Sequence, residues 1–146
     1  MTDAIILLVE DNASDEELTL RALKRANVRN PVVVVRDGAA ALDYVFRRGA
    51  YADRAPGEEI QVVLLDLNLP KLSGHDVLRA VRADERTHLL PVVILTSSNE
   101  DRDLAEGYAG GCNSYVVKPV DFTQFAEAVR QLGLYWLVLN QRPRSP

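Results

Sequence analysis

Cysteine is almost missing from this chain of 146 residues: Cys112 stands alone, which rules out an internal disulfide and fits a reducing compartment. No apolar run reaches the length that spans a bilayer. The N-terminus, Met1-Thr2-Asp3-Ala4, lacks the basic segment of a secretion signal, so the cytoplasm is the expected location. There is no excess of positive charge either. With 17 basic and 21 acidic residues the net charge is −4, which disfavours non-specific binding to nucleic acid. Internal repeats and low-complexity segments are also absent. At 47% hydrophobic and 26% charged residues the composition excludes disorder, and the length allows one ordinary domain but not two.

What the chain does contain is an alternation of two kinds of segment. Residues 5–9, Ile-Ile-Leu-Leu-Val, form a short continuous apolar run of the sort that makes a strand buried on both faces. Ser14-x-x-Glu17 then offers a capping box, and Leu18, Ala22, Leu23 and Ala26 follow at helical spacing. Pro31 ends that pattern before a second strand, Val32–Val35. Asp37 is placed to cap a helix carrying Ala41, Leu42, Val45 and Phe46. Residues 47–59, with Gly49, Pro56 and Gly57, suggest an exposed loop. Ile60–Leu65 is a third strand ending at Asp66. A loop with Pro70 and Gly74 leads to a helix carrying Val77, Leu78 and Val81. Val92–Leu95 is a fourth strand, ending at Thr96. Ser97-x-x-Glu100 opens a helix near 99–108, closed by Gly110-Gly111. Ser114–Val117 is a fifth strand, ending at Lys118-Pro119, and a last helix is expected from about Phe122 to Leu139. The pattern predicts an α/β fold: a doubly wound parallel sheet of five strands in order 2-1-3-4-5 with five helices. One domain spans 1–140, and 141–146 form a loose tail.

Polar residues follow the strands in a non-random way. Val9 is followed by Glu10-Asp11, Leu65 by Asp66, Leu95 by Thr96-Ser97, and Val117 by Lys118. In open α/β sheets the ligand crevice lies beyond the carboxyl ends of the strands, so three acids, a hydroxyl and an ammonium are delivered to one rim. Clustered carboxylates repel and require a cation. Oxygen ligands without His or Cys select a hard ion, and Mg²⁺ is the usual one beside phosphate. A carboxylate can itself be the nucleophile and form an aspartyl phosphate, with the metal and Lys118 stabilising the transferring charge.

With these residues in view, the chain resembles the response-regulator receiver family, relatives of the chemotaxis protein CheY. The resemblance rests on Glu10-Asp11, Asp66-Leu67-Asn68-Leu69-Pro70 with Gly74, Thr96-Ser97, and Tyr115-Val116-Val117-Lys118-Pro119, and covers about residues 4–133. It implies that Asp66 is the phosphoacceptor. It implies that Glu10, Asp11, Asp66 and the backbone carbonyl of Asn68 hold Mg²⁺, and that Lys118 contacts the phosphoryl group. Thr96 and Tyr115 are implied as the switch pair, and the Lys118–Pro119 bond as cis. The implied donor is a phosphohistidine on a sensor kinase, and the domain catalyses its own phosphorylation and dephosphorylation without a separate substrate. Within the family the chain is most similar to single-domain regulators paired with bacterial phytochromes, through the loop around Tyr51–Pro56, Leu64–Lys71, Pro91–Thr96 and the late Tyr135-Trp136. It departs from the family in Glu10, where Asp is commoner, in Cys112-Asn113, where Ala-Asp is usual, and in ending soon after the last helix, without an output domain.

Other functions fit less well. A flavodoxin-type cofactor site needs a phosphate-cradling loop after the first strand, where this chain places two acids. An aspartate-nucleophile phosphohydrolase needs a second acid where Asn68 stands. A phosphorylation-independent receiver-like binding module typically lacks Asp66, Lys118 or the acid pair, all present here; a phosphorelay intermediate remains an alternative role. His75 and His88 read as solvated, Cys112 as a small buried residue, and Arg47-Arg48 with Arg142 and Arg144 as solvated charge. In the last helix Phe122, Phe125, Ala126, Val129 and Leu132 form a docking stripe, but Leu134–Leu139 is apolar all round. That ending suggests a homodimer through the fourth and fifth helices and the fifth strand.

Overall fold

The structure, a computed structural model, describes residues 4–26, 28–55, 57–97, 101–118 and 123. Five strands, β1 (Ile5–Val9), β2 (Val32–Val35), β3 (Ile60–Asp66), β4 (Val92–Thr96) and β5 (Ser114–Val117), pair in parallel in the order β2-β1-β3-β4-β5. This is the order the sequence predicts. β1 and β4 are buried at every residue, and β3 at all but its first two. Helices cover both faces of the sheet, so its central strands have no solvent side and need no polar alternation. At the edges, where one flank is open, β2 and β5 are only partly buried.

Among the described residues four α-helices connect the strands: α1 (Ala13–Arg25), α2 (Gly38–Val45), α3 (Gly74–Ala83) and α4 (Asp101–Ala109). The expected fifth helix, apart from residue 123, lies outside the described residues, as do the Lys118–Pro119 bond and the tail. Successive strand residues point to opposite faces, which divides the core in two. On one face Ile6, Leu8, Leu64, Val93 and Leu95 pack with Ala22 and Leu23 of α1. On the other, Leu7, Val9, Val63, Leu65 and Ile94 pack with Ala41 and Leu42 of α2 and Val77, Leu78 and Val81 of α3. Each fully buried Leu or Ile contributes about 1.5–3 kcal/mol through removal from water.

The helix starts are set by side-chain caps. Asp37 caps α2 as predicted, its Oδ1 accepting from the Ala40 N–H at 2.7 Å. Ser73 caps α3 through the Asp76 N–H. For α1 the expected Ser14 capping box is not the start. Asn12, in extended conformation, takes that place and accepts from the Asp15 N–H at 2.9 Å. The chain turns helical sooner after β1 than the Ser14 signal implies.

Two glycines seat the loop between β3 and α3. A Cβ on Gly74 would stand 2.4 Å from the Asp66 carbonyl oxygen, and one on Gly38 2.4 Å from that of Leu72. No larger residue fits at either contact.

Residues 47–59 are less loop-like than expected. They contain a short 3-10 turn, Gly49–Tyr51. Arg54 donates to the carbonyls of Tyr44 and Glu58 and lies 4.0 Å from the Tyr44 ring centroid. Arg47 donates to the carbonyls of Arg54 and Ala55 at 2.9 and 2.8 Å, so it is not the solvated charge its sequence suggests. His75 likewise is not solvated. Its side chain is only 13% exposed, both ring nitrogens are buried with no hydrogen-bond partner among the described residues, and Glu106 of α4 stands 3.8 Å away. His88 is exposed, and burial pushes the Cys112 thiol up to about 11, both in line with the sequence reading.

Candidate functional site

The parallel sheet brings the ends of β1, β3, β4 and β5 to one rim. Glu10 follows β1, Asp66 and Thr96 end β3 and β4, and Lys118 follows β5. Register holds them there: Asp66 pairs with Leu95, and Thr96 with Val117. The Lys118 N–H donates to the Thr96 carbonyl at 2.7 Å.

Lys118 is the hub. Its Nζ lies 2.7 Å from Glu10 Oε1, 2.9 Å from Asp15 Oδ2 and 3.2 Å from Asp66 Oδ2. The lysine side chain is 9% exposed, Glu10 1% and Asp66 6%, so these charges interact with little solvent screening. Glu10, Asp11 and Asp66 each present a carboxylate oxygen within 4.8 Å of the other two. Two unit charges at that distance repel by about 3–4 kcal/mol at an effective dielectric constant near 20. Burial pushes the Glu10 carboxyl up to about 7; Lys118 opposes the rise and Asp66 adds to it. Burial also works to lower the Lys118 ammonium. Its hydrogen bonds to Glu10 and Asp15 and the charge of Asp66 outweigh that and hold it above the ordinary lysine range.

The remaining predicted residues fall around this hub. Asn68 sits in the loop after β3, and its N–H donates to Asp66 Oδ1 at 3.2 Å. Thr96 is fully buried. Tyr115 on β5 is half-buried, its ring 6.4 Å from that of Tyr108 on α4. Asp11 is exposed at the rim. Asp15 was not among the residues the sequence reading picked out. An acid in the first turn of a helix is favoured by the helix dipole in any case, so its side chain gives no separate signal.

An acidic, oxygen-only pocket with one buried lysine, at the carboxyl edge of a sheet in the order 2-1-3-4-5, defines a class: proteins that take a phosphoryl group on a carboxylate. The chain belongs to the response-regulator receiver family, whose domain model matches residues 6–130. A relative from Methanothrix harundinacea, the probable methanogenesis regulatory protein FilR2, is 41% identical over 95% of this chain and 87% of its own length. The bacteriophytochrome response regulator RtBRR is 50% identical, with a TM-score of 0.84 over 98% of this chain and 85% of that one. The Mn²⁺-bound form of the response regulator Rcp1 is 31% identical, with a TM-score of 0.75 over 96% of this chain and 99% of that one. The fold and the family implied by the sequence resemblance are thereby shown: a response-regulator receiver domain, similar to bacteriophytochrome response regulators.

Proposed function

We propose that Asp66 is the phosphoacceptor and that Lys118, Thr96 and a Mg²⁺ ion held by Glu10, Asp11, Asp66 and the Asn68 backbone carbonyl serve its esterification. One observation carries this reading: three carboxylates converge within 4.8 Å of one another, and one of them, Asp66, is already bonded to a buried lysine. Their mutual repulsion fits a hard divalent cation with oxygen ligands, and burial, with Asp66 adding to it, already raises the Glu10 carboxyl. When bound, such an ion supplies positive charge and a fixed template for phosphoryl oxygens. Asp66 supplies the nucleophile. Its carboxylate attacks phosphorus as the bond to the donor histidine nitrogen breaks, and the histidine retains the bonding pair. Lys118 offers its ammonium to one phosphoryl oxygen, and the Thr96 hydroxyl donates to another. Engagement of Thr96 draws Tyr115 inward and biases a two-state equilibrium. Return of the phosphoryl group to water is the domain's own reaction too.

The donor in this proposal is a phytochrome-type sensor histidine kinase, supported by the 50% identity to RtBRR. FilR2, at 41% identity, is named a probable methanogenesis regulatory protein rather than a phytochrome regulator, so phosphotransfer profiling against the host's kinases decides the partner. The proposed location is the cytoplasm; no helix among the described residues is long and apolar enough to cross a membrane. A homodimer through α4, β5 and the last helix, without direct DNA binding, completes the proposal. The Tyr108–Tyr115 pair supports that face, since Tyr108 is 53% exposed. A mass in light scattering that stays monomeric at all concentrations, with and without phosphorylation, removes the dimer.

The acceptor assignment is tested with acetyl phosphate and Mg²⁺, read by intact-protein mass. The wild type gains one phosphoryl group, and Asp66→Asn gains none. An unchanged wild type, or an equal gain on Asp66→Asn, overturns the assignment.

A further inference from the structure

We infer that Asp15 is a positioning residue that competes with the phosphoryl group for Lys118 and so restrains acceptance at Asp66. The inference rests on the phosphoacceptor reading of Asp66. Its observation is separate: Lys118 Nζ is nearer to Asp15 Oδ2, at 2.9 Å, than to Asp66 Oδ2, at 3.2 Å. The placement of Asp15 is specific. Its backbone N–H is held by the Asn12 cap, which fixes the first turn of α1 beside the rim. The next acid along α1, Glu16, pairs instead with Arg36.

The electrostatics give the sign. Glu10, Asp15 and Asp66 place three carboxylates on one ammonium with Asp11 beside them, and Glu10, Asp11 and Asp66 suffice for a divalent ion. Asp15 therefore adds a negative charge that neither metal nor nucleophile uses. An incoming phosphoryl group is itself anionic, and it needs the ammonium that Asp15 holds. The side chain of Asp15 is 36% exposed, whereas those of Glu10 and Asp66 are nearly closed off, so Asp15 is the carboxylate able to turn to solvent when Lys118 is claimed. Its release tethers the start of α1 to the state of the site.

Binding of beryllofluoride in Mg²⁺, a stable mimic of an aspartyl phosphate, separates this role from a structural one. Asp15→Asn removes the charge and keeps the size. The expected result is an apparent affinity about fivefold tighter than wild type at low salt, with the gain shrinking at high salt as an ionic effect should. The variant's thermal midpoint without ligand stays level or falls slightly, since a helix-start charge is lost. A purely structural role would weaken both together. Asp15→Glu keeps the charge and restores wild-type affinity. Equal or weaker binding by Asp15→Asn overturns the inference, as does an Asp15→Glu variant that behaves like Asp15→Asn. Failure of the underlying reading shows differently: the wild type itself takes no beryllofluoride, or Asp66→Asn takes as much.

Discussion

Two parts of this molecule draw charged side chains inward, and they do so with opposite outcomes. In residues 47–59, Arg47 and Arg54 reach four backbone carbonyls between them, and Arg54 also stacks on Tyr44. Cations meet neutral carbonyl acceptors, and the segment is fastened to α2 through the Tyr44 carbonyl. At the rim, one lysine faces Glu10, Asp15 and Asp66 with Asp11 beside them. There the charges do not balance. The comparison separates a network that is complete as it stands from one completed by a ligand. Imbalance, more than burial or charge by itself, marks the functional rim.

The largest effect expected from breaking the comparison lies at Lys118. Lys118→Ala removes the one cation that, among the described residues, pairs with buried Glu10 and Asp66. Leaving buried charge unpaired costs about 3–5 kcal/mol, so unfolding in urea without metal should shift by that order. Mg²⁺ should recover part of the loss, because it replaces the missing positive charge. A variant as stable as wild type without metal would mean that the rim is not strained.

Arg54→Ala tests the other side. It removes two hydrogen bonds, to the Tyr44 and Glu58 carbonyls, and the ring contact, at an expected cost of about 2 kcal/mol. Phosphoryl acceptance from acetyl phosphate should be unchanged, and Mg²⁺ should rescue nothing. A slowed acceptance would show that the two regions are coupled after all.

This contrast also explains what the sequence makes legible. The central strands are apolar throughout because helices cover both faces, and polar residues at their ends can only gather at one edge, so Glu10, Asp66, Thr96 and Lys118 were readable together. Asp37 was readable as a cap because few nearby residues compete for that role. Asn12 and Ser14 are both cap-competent, and only the path of the chain after β1 decides between them. Arg47 and Arg54 were not readable, since an arginine reaching backbone carbonyls leaves no periodic trace in sequence. His75 misled for a related reason. It precedes the apolar stripe Val77, Leu78 and Val81 in α3, yet α4 brings Glu106 against it from a distant stretch of chain. Asp15 combined both problems: a local reason sufficient for its presence, and a partner 103 residues away.

The smallest effect is a pH dependence confined to the rim. Glu10 is raised from the ordinary 4.5 to about 7 by burial and by Asp66. Between those values the native protein holds a proton that the unfolded chain has lost, so metal-free stability should fall as pH rises through that window. Mg²⁺ needs the same oxygen deprotonated, so its binding releases the proton. The apparent Mg²⁺ affinity should weaken about tenfold from pH 8 to pH 6, as expected for one displaced proton with a midpoint near 7. Titration calorimetry at the two pH values measures this directly, and Glu10→Gln should flatten the difference. Arg54 bonds backbone carbonyls, which do not titrate, so the stability lost in Arg54→Ala should be the same at pH 6 and pH 8. A wild-type Mg²⁺ affinity that does not change across this interval would mean that Glu10 is not a ligand, and that the excess acid at the rim serves Lys118 alone.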